Sequence, residues 1–385
     1  MKVLYVAPDV PVPHTGKFLG GTTHVLKVSE SLAKRGHEVW IISRRMRGQS
    51  KFEKITGKIV TRRFYRGLIL PLEGKPKCNG KNESLIGKIM KVLENLYFAI
   101  YRLVLASYVL WLLSKYNFDL VVERNSARGI GVFPAKVFRI RSVVEVIDPD
   151  FSKLQLKLAD RVLAYTRDIV PEDCRTKVVL THAGVDVELF NSVDLSEVNG
   201  IKSKFGLQNK RVVVYIGEIS EWHGADLLID IAEKIDDVVF LMIGKNIELL
   251  REDVDERRLS EKFVFTGFVR HEDIPKFVSI ADVAVAPYRK TRDMEKFYFS
   301  PIKIFEYMAC GKPIIASDLE IIRDIINENK CGILAKPNDV EDFARKITYL
   351  IDNINLREKL GKNGMKRVVK KYTWMVVADK IIGGF

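Results

Sequence analysis

Cysteine is sparse in this 385-residue chain, and its four copies, Cys78, Cys174, Cys310 and Cys331, stand far apart without a CxxC pair. That spacing argues against a disulfide framework and a structural zinc site, and it suits a reducing compartment. The glycines near the N-terminus, Gly20 and Gly21, lack GxGxxG spacing, so a dinucleotide fingerprint is missing and an NAD-dependent enzyme is disfavoured. No nucleic-acid-binding motif is present, and no nucleic-acid partner is expected. An apolar strand pattern begins at Lys2, which argues against a signal peptide. Acidic charge is short in one half only. Through Phe190 there are 32 Lys and Arg against 18 Asp and Glu, and the totals of 63 and 49 leave 31 against 31 for the remainder.

What is present describes a soluble globular protein, with 47% apolar and 29% charged residues. The length suits two domains, each with its own core. Within the basic half, residues 44–91 carry 14 Lys and Arg against Glu53, Glu73 and Glu83. Two readings stay open for this block: an anionic partner surface, or a solvated loop.

The periodicity repeats an α/β pattern. Strands are expected at 2–7, 38–43, 119–123, 142–147 and 161–165, with an amphipathic helix over 22–35. A strand and turn cover 177–186, and a linker of mixed polarity covers 191–209. The pattern then restarts with strands at 211–216, 238–243, 263–266 and 283–286, helices at 225–235 and 274–280, and three helices beyond residue 340. Two Rossmann-like domains in tandem follow, taken as residues 1–195 and 196–370, with 371–385 as a helix returning to the first. Residues 85–116 form a long helix whose core, 96–113, carries Arg102 as its one charge. A buried or interface helix, a membrane-surface helix and a membrane span all remain open there.

The chain is organised around residues 300–318, SPIKIFEYMACGKPIIASD. Ile302, Ile304, Phe305 and Met308 give a short helix, with Ser300 as its expected N-cap and Pro301 at its first position. Such a helix start suits an anion, and the strand after Gly311 places it between strands.

This segment resembles the nucleotide-sugar signature of family-4 retaining glycosyltransferases of GT-B fold. The resemblance implies two Rossmann-like domains with a cleft between them, a nucleotide-sugar donor on the second and an acceptor on the first. Glu306 matches the family glutamate that holds the donor ribose; the earlier glutamate of the pair is replaced by Tyr298. GGTTHVLKVSESLAKRGHEVWIIS is similar to the family's first βα unit, whose paired glycines, here Gly20 and Gly21, approach the donor phosphates. KVVLTHAGVD resembles the element that closes the first domain. In YIGEISEWHG, Glu218 and His223 stand where relatives carry an arginine and a lysine that clamp the diphosphate. Lys303 is the expected substitute, in a subgroup that pairs Trp-His-Gly with Ser-Pro-x-Lys. His223 reads as a phosphate ligand or as a loop-packing residue.

The resemblance therefore assigns the donor to Gly217, His223, Gly244, Gly267, Phe268, Val269, Ser300, Pro301, Ile302, Lys303 and Glu306, besides Gly20 and Gly21. His24, Glu123, Arg124 and Glu145, at strand ends or a helix start, are acceptor-side residues. Lys303, Glu306, Glu145 and Asp148 are the expected catalytic set. Asp148-Pro149-Asp150 spells a DxD, which reads as a metal ligand pair or, in this context, as a strand end and turn. No metal or other cofactor is expected. The acceptor is expected to be a glycan or lipid-linked hydroxyl, the location the cytoplasm, and an anionic membrane face a further partner. A GT-B-like epimerase and a non-catalytic nucleotide-sugar-binding protein are the alternatives.

Overall fold

The computed structural model describes residues 1–12, 20–46, 48–64, 85–290 and 299–383. The chain divides into two units, Met1–His182 with Val377–Phe385, and Ala183–Val376. The first unit thus consists of two chain segments, and the helix Trp374–Ile382 passes from one unit into the other along its own length.

The first unit is built on an eight-stranded sheet: β1 (Lys2–Pro11), β2 (Glu38–Arg44), β3 (Phe52–Thr56), β4 (Ile59–Phe64), β5 (Leu120–Arg124), β6 (Arg141–Val146), β7 (Arg161–Ala164) and β8 (Val178–Leu180), in the order 3-4-2-1-5-6-7-8. All neighbours are parallel except the β3–β4 hairpin. Parallel strands are covered on both faces, which is why Val3 to Ala7 form a wholly buried run. Helix α1 (Gly20–Lys34) connects β1 to β2, and α2 (Leu85–Lys115) precedes β5. One face of α2 drives Leu105, Val109, Leu112 and Leu113 into the core, a spacing of three and four that closes a helical stripe. The opposite face leaves Leu96, Ile100, Leu103, Val104 and Trp111 exposed, Leu103 by 67%. The stretch Asn95–Lys115 is long and apolar enough to cross a membrane by length and composition alone.

The second unit carries a six-stranded parallel sheet: β9 (Arg211–Ile216), β10 (Val238–Ile243), β11 (Phe263–Gly267), β12 (Val283–Ala286), β13 (Ile314–Ser317) and β14 (Gly332–Ala335), in the order 11-10-9-12-13-14. Its continuous apolar runs, RVVVYI and VVFLMI, are buried from Val212 to Tyr215 and throughout β10. In each sheet the strand order reverses at the central strand, β1 between β2 and β5, and β9 between β10 and β12. Ligands of open α/β sheets bind outside the carboxyl ends at such reversals.

Three local expectations are corrected. The basic block is not a loop throughout, because residues 52–64 pair as the β3–β4 hairpin and Arg63 is only 3% exposed. Its guanidinium reaches Glu53 at 2.5 Å and the carbonyl of Val12 at 3.0 Å, so a residue counted as surface charge serves the interior. The remainder of the block, residues 65–84, lies outside the described residues. The 191–209 linker contains the helix Leu195–Lys204, started by Asp194, whose carboxylate accepts from the Ser196 N–H at 2.8 Å. Only Val198 of that helix is buried, so it lacks an apolar stripe. Ser300 does not cap its helix. The helix runs Ile302–Ala309 with Pro301 at the cap position, and the Ser300 hydroxyl instead accepts from the Ala183 N–H at 2.9 Å.

Candidate functional site

The carboxyl ends of β9, β10 and β11 are finished by Gly217, Gly244 and Gly267, all at positive φ. A side chain at Gly244 would put its Cβ 1.7 Å from the Gly217 carbonyl oxygen, so two backbones meet there and glycine is required. A Cβ on Gly217 would lie 2.8 Å from the Lys303 Nζ, which places the ammonium against this glycine rim.

Lys303 is 8% exposed on the first turn of its helix. Among the described residues its Nζ has no hydrogen-bond partner. It lies 4.4 Å from the Tyr215 ring centroid and 5.0 Å from that of Tyr288, which gives it π-electron density in place of water. Burial pushes its pKa down to about 7, against the opposing pull of Glu306 and Glu218. The aromatic wall continues outward through Trp222, stacked on Tyr288 at 5.6 Å, and Phe299 at 5.0 Å from Tyr288.

His223 belongs to this wall. Its ring centroid is 3.8 Å from that of Trp222, and Nδ1 pairs with the Ser220 hydroxyl at 2.9 Å and the Glu218 carbonyl at 3.2 Å. Burial, and then the charge of Lys303, push its pKa down to about 4, so it is neutral near pH 7. The geometry gives it packing and one hydrogen-bonding nitrogen rather than a charge. Glu306, 6% exposed, lies one turn beyond Lys303, and one of its oxygens pairs with His271 Nε2 at 2.9 Å. Pro301 is buried and Ile302 partly exposed beside it. After β11, Phe268 projects into solvent, 73% exposed, next to Val269. Tyr298 lies outside the described residues.

The first unit assembles a second polar group at the ends of β1, β5 and β6. Glu145, 2% exposed, accepts from the Tyr5 hydroxyl and pairs with His24 Nε2 at 3.0 Å on the other oxygen. Burial alone pushes this carboxyl up, but His24, Tyr5 and Arg124 together outweigh it and hold Glu145 below its ordinary value. Arg124 is 4% exposed, and among the described residues neither its Nε nor its Nη1 has a partner. Gly20 and Gly21 open α1, and a Cβ on Gly21 would sit 3.8 Å from Arg124 Nη2. Gly21, expected on the donor side, thus lies beside Arg124, expected on the acceptor side.

Glu123 is brought elsewhere. Its carboxylate accepts from the N–H groups of Gly129, Gly131 at 2.6 Å and Val132 at 2.7 Å, and from Gln155 Nε2 at 2.6 Å. Burial raises it to about 7 despite those donors. Four internal donors occupy the lone pairs, so Glu123 acts as a clamp on the turn 129–132. Asp148 Oδ1 accepts from Asn125 Nδ2 at 2.6 Å and from the Asp150 N–H at 2.9 Å, and Asp150 pairs with Arg128. The DxD is a turn tied to the end of β5.

Tyr215, Tyr288, Trp222 and His271 are site residues that sequence reasoning missed. Tyr215, the aromatic two residues before the strand-ending Gly217, carried a usable signal; His271, remote in sequence from Glu306, carried none.

Residues 199–367 match the family model Glycosyl transferases group 1. Alpha-D-kanosaminyltransferase of Streptomyces kanamyceticus is 24% identical over 277 residues, 69% of this chain and 69% of the relative. The sucrose-phosphate synthase structure from Thermosynechococcus elongatus superposes with a TM-score of 0.70 at 19% identity, covering 99% of this chain and 97% of that one. Anabaena HepE, solved in complex with UDP-glucose, superposes with a TM-score of 0.67 at 16% identity, over 99% and 98%. Residues 199–367 are thus a Glycosyl transferases group 1 domain, carried in a chain of GT-B fold.

Proposed function

We propose that this chain is a retaining glycosyltransferase that moves a sugar from a nucleoside diphosphate sugar to a hydroxyl acceptor. The observation that carries the reading is Lys303: a lysine ammonium buried without a hydrogen-bond partner among the described residues, against glycine-finished strand ends, is a half-made ion pair. An isolated buried charge is costly, and a diphosphate supplies the missing half. Gly217, Gly244 and Gly267 leave room for backbone to approach the phosphates, and Glu306, oriented by His271, accepts from the ribose hydroxyls. The comparison with HepE in complex with UDP-glucose makes uridine the first base to test.

In the proposed reaction the bond from the anomeric carbon to the donor phosphate oxygen breaks, and a bond to the acceptor oxygen forms on the same face. The acceptor proton passes to the departing phosphate oxygen, so no side-chain nucleophile is used. Charge develops on the leaving diphosphate, where Lys303 gains most, and stabilisation there lowers the barrier. No metal is invoked. Glu145 and Arg124 hold the acceptor in the first unit, and Asp148 keeps its turn in place through Asn125. The exposed apolar stripe of α2 and the basic excess of residues 44–91 favour a lipid-linked acceptor met at an anionic membrane surface.

The test is release of free nucleoside diphosphate from a panel of nucleotide sugars with lipid-linked and soluble acceptors, with product stereochemistry read by NMR. Acceptor-dependent release with retained configuration is expected. Inversion refutes the retaining mechanism, and failure to bind any nucleoside diphosphate refutes the donor site.

A further inference from the structure

We infer that Arg124 and the first turn of α1 form a site for an oxyanion, a phosphate ester or carboxylate, carried by the acceptor. The inference rests on the glycosyltransferase reading for the word acceptor, but the site stands on its own geometry. Arg124 ends β5, beside the central strand where the sheet order reverses. Arg124 is 96% buried, yet among the described residues its Nε and Nη1 donate to nothing. The nearby carboxylate of Glu145 attracts Arg124 through space, but it accepts from Tyr5 and pairs with His24, and among the described residues no hydrogen bond joins it to Nε or Nη1 of Arg124. The remaining nitrogen, Nη2, faces Gly21, with 3.8 Å from where a Cβ would stand.

Gly21 lies in the first described turn of α1, which holds no acidic residue. A buried guanidinium thus turns Nη2 toward this glycine while its Nε and Nη1 stay unpaired among the described residues. Planar bidentate donors match phosphate and carboxylate, and glycine leaves the approach open. Two further buried hydroxyls without partners, Ser126 Oγ after β5 and Thr166 Oγ1 after β7, lie at the same ends of the sheet and suit the hydroxyls of a sugar or polyol that bears the anion.

Donor phosphate is the other source of the same chemistry, and the test separates the two. Inorganic phosphate, and separately acetate, is titrated into the full-length protein with and without saturating UDP, by calorimetry and by shift in melting temperature. One-site phosphate binding that persists with UDP present is expected. Arg124→Gln should weaken it at least tenfold while UDP affinity stays within twofold; Arg124→Lys, which keeps charge but not the fork, should fall between. Gly21→Ala guards against misfolding as an explanation, because its Cβ makes only ordinary contacts yet covers the guanidinium. It too should lower phosphate affinity without lowering the melting temperature of the free protein. No phosphate binding by the natural protein, unchanged binding in both Arg124→Gln and Gly21→Ala, or displacement of phosphate by UDP each overturns the acceptor site. UDP binding lost only on changing Lys303 keeps the donor reading separate from this result.

Discussion

The Lys303 ammonium sits 4.4 Å from the centroid of the Tyr215 ring and makes no hydrogen bond among the described residues. A cation held on an aromatic face and denied water is ready for an anion, and binding should expose this in two ways. Lys303→Ala should weaken nucleoside diphosphate strongly and nucleoside little. Glu306→Ala should weaken both by about 1.5–3 kcal/mol, the scale of a charge-assisted hydrogen bond. Calorimetric titration of each variant with each ligand decides it, and equal losses throughout refute the division of roles.

Binding should also take up a proton. With its pKa near 7, Lys303 is partly neutral at neutral pH, and a bound diphosphate favours the charged form. Affinity should therefore fall by up to about tenfold per pH unit above 7, the limit for one linked proton. Titration in buffers of different ionisation enthalpy measures the uptake, and Lys303→Ala should abolish it.

The two buried groups give the free protein opposite stability slopes. Glu123 rises from 4.5 to about 7 on folding, so the folded state holds the extra proton between those values. Its contribution is full below pH 4.5 and is lost as pH rises through 7. Lys303 falls from 10.5 to about 7, so the unfolded state holds the extra proton and stability rises with pH across that window. Urea denaturation across pH should show Glu123→Gln flattening the lower slope and Lys303→Met the upper one. Glu123→Ala should cost about 1–3 kcal/mol or more at any pH by stranding buried N–H groups, with UDP affinity unchanged.

Transfer should survive chelation. The carboxylates of Asp148 and Asp150 are engaged with Asn125 and Arg128, and the proposed leaving-group stabilisation comes from protein charge. Activity in excess EDTA should stay within a few-fold of the untreated rate. Complete loss, restored by magnesium or manganese, sinks the metal-independent mechanism.

Anionic liposomes should sediment the protein, more with anionic lipid and less with salt. Leu96→Ser with Leu103→Ser should weaken this by removing exposed apolar surface, and Arg62→Ser by removing charge. Arg63 is a poor target because it is paired inside the fold, and Arg66 lies outside the described residues. A protein left in the supernatant at low salt refutes membrane docking.

The central strands were legible because parallel strands buried on both faces read as unbroken apolar runs, as in Val238–Ile243, whereas β3, β4 and β14, at or next to a sheet edge, were not read. The helix Leu195–Lys204 was not, since one buried valine gives no period to detect. Within the site, Lys303 and Glu306 stood on one helix in one motif and were readable together. The partners Tyr215 and His271 come from other elements, and only the sheet order brings them to that helix. Glu123 shows the limit from the other side: a carboxylate at a strand end reads the same in sequence whether it faces a ligand or, as here, clamps the turn behind it.

The first unit is discontinuous, drawing residues 377–385 from beyond the whole of the second. Arg35 donates to Asp379 at 2.8 and 2.6 Å, and Arg161 to the Lys380 carbonyl at 2.9 Å, so those late residues close two of its surfaces. On the ribosome, where synthesis runs from the N-terminus, residues 1–182 emerge first yet wait for 377–385, while 183–376 form one uninterrupted stretch. The unit translated first is the last that can be completed, and a chain stalled before residue 377 would carry a finished second unit beside an open first one.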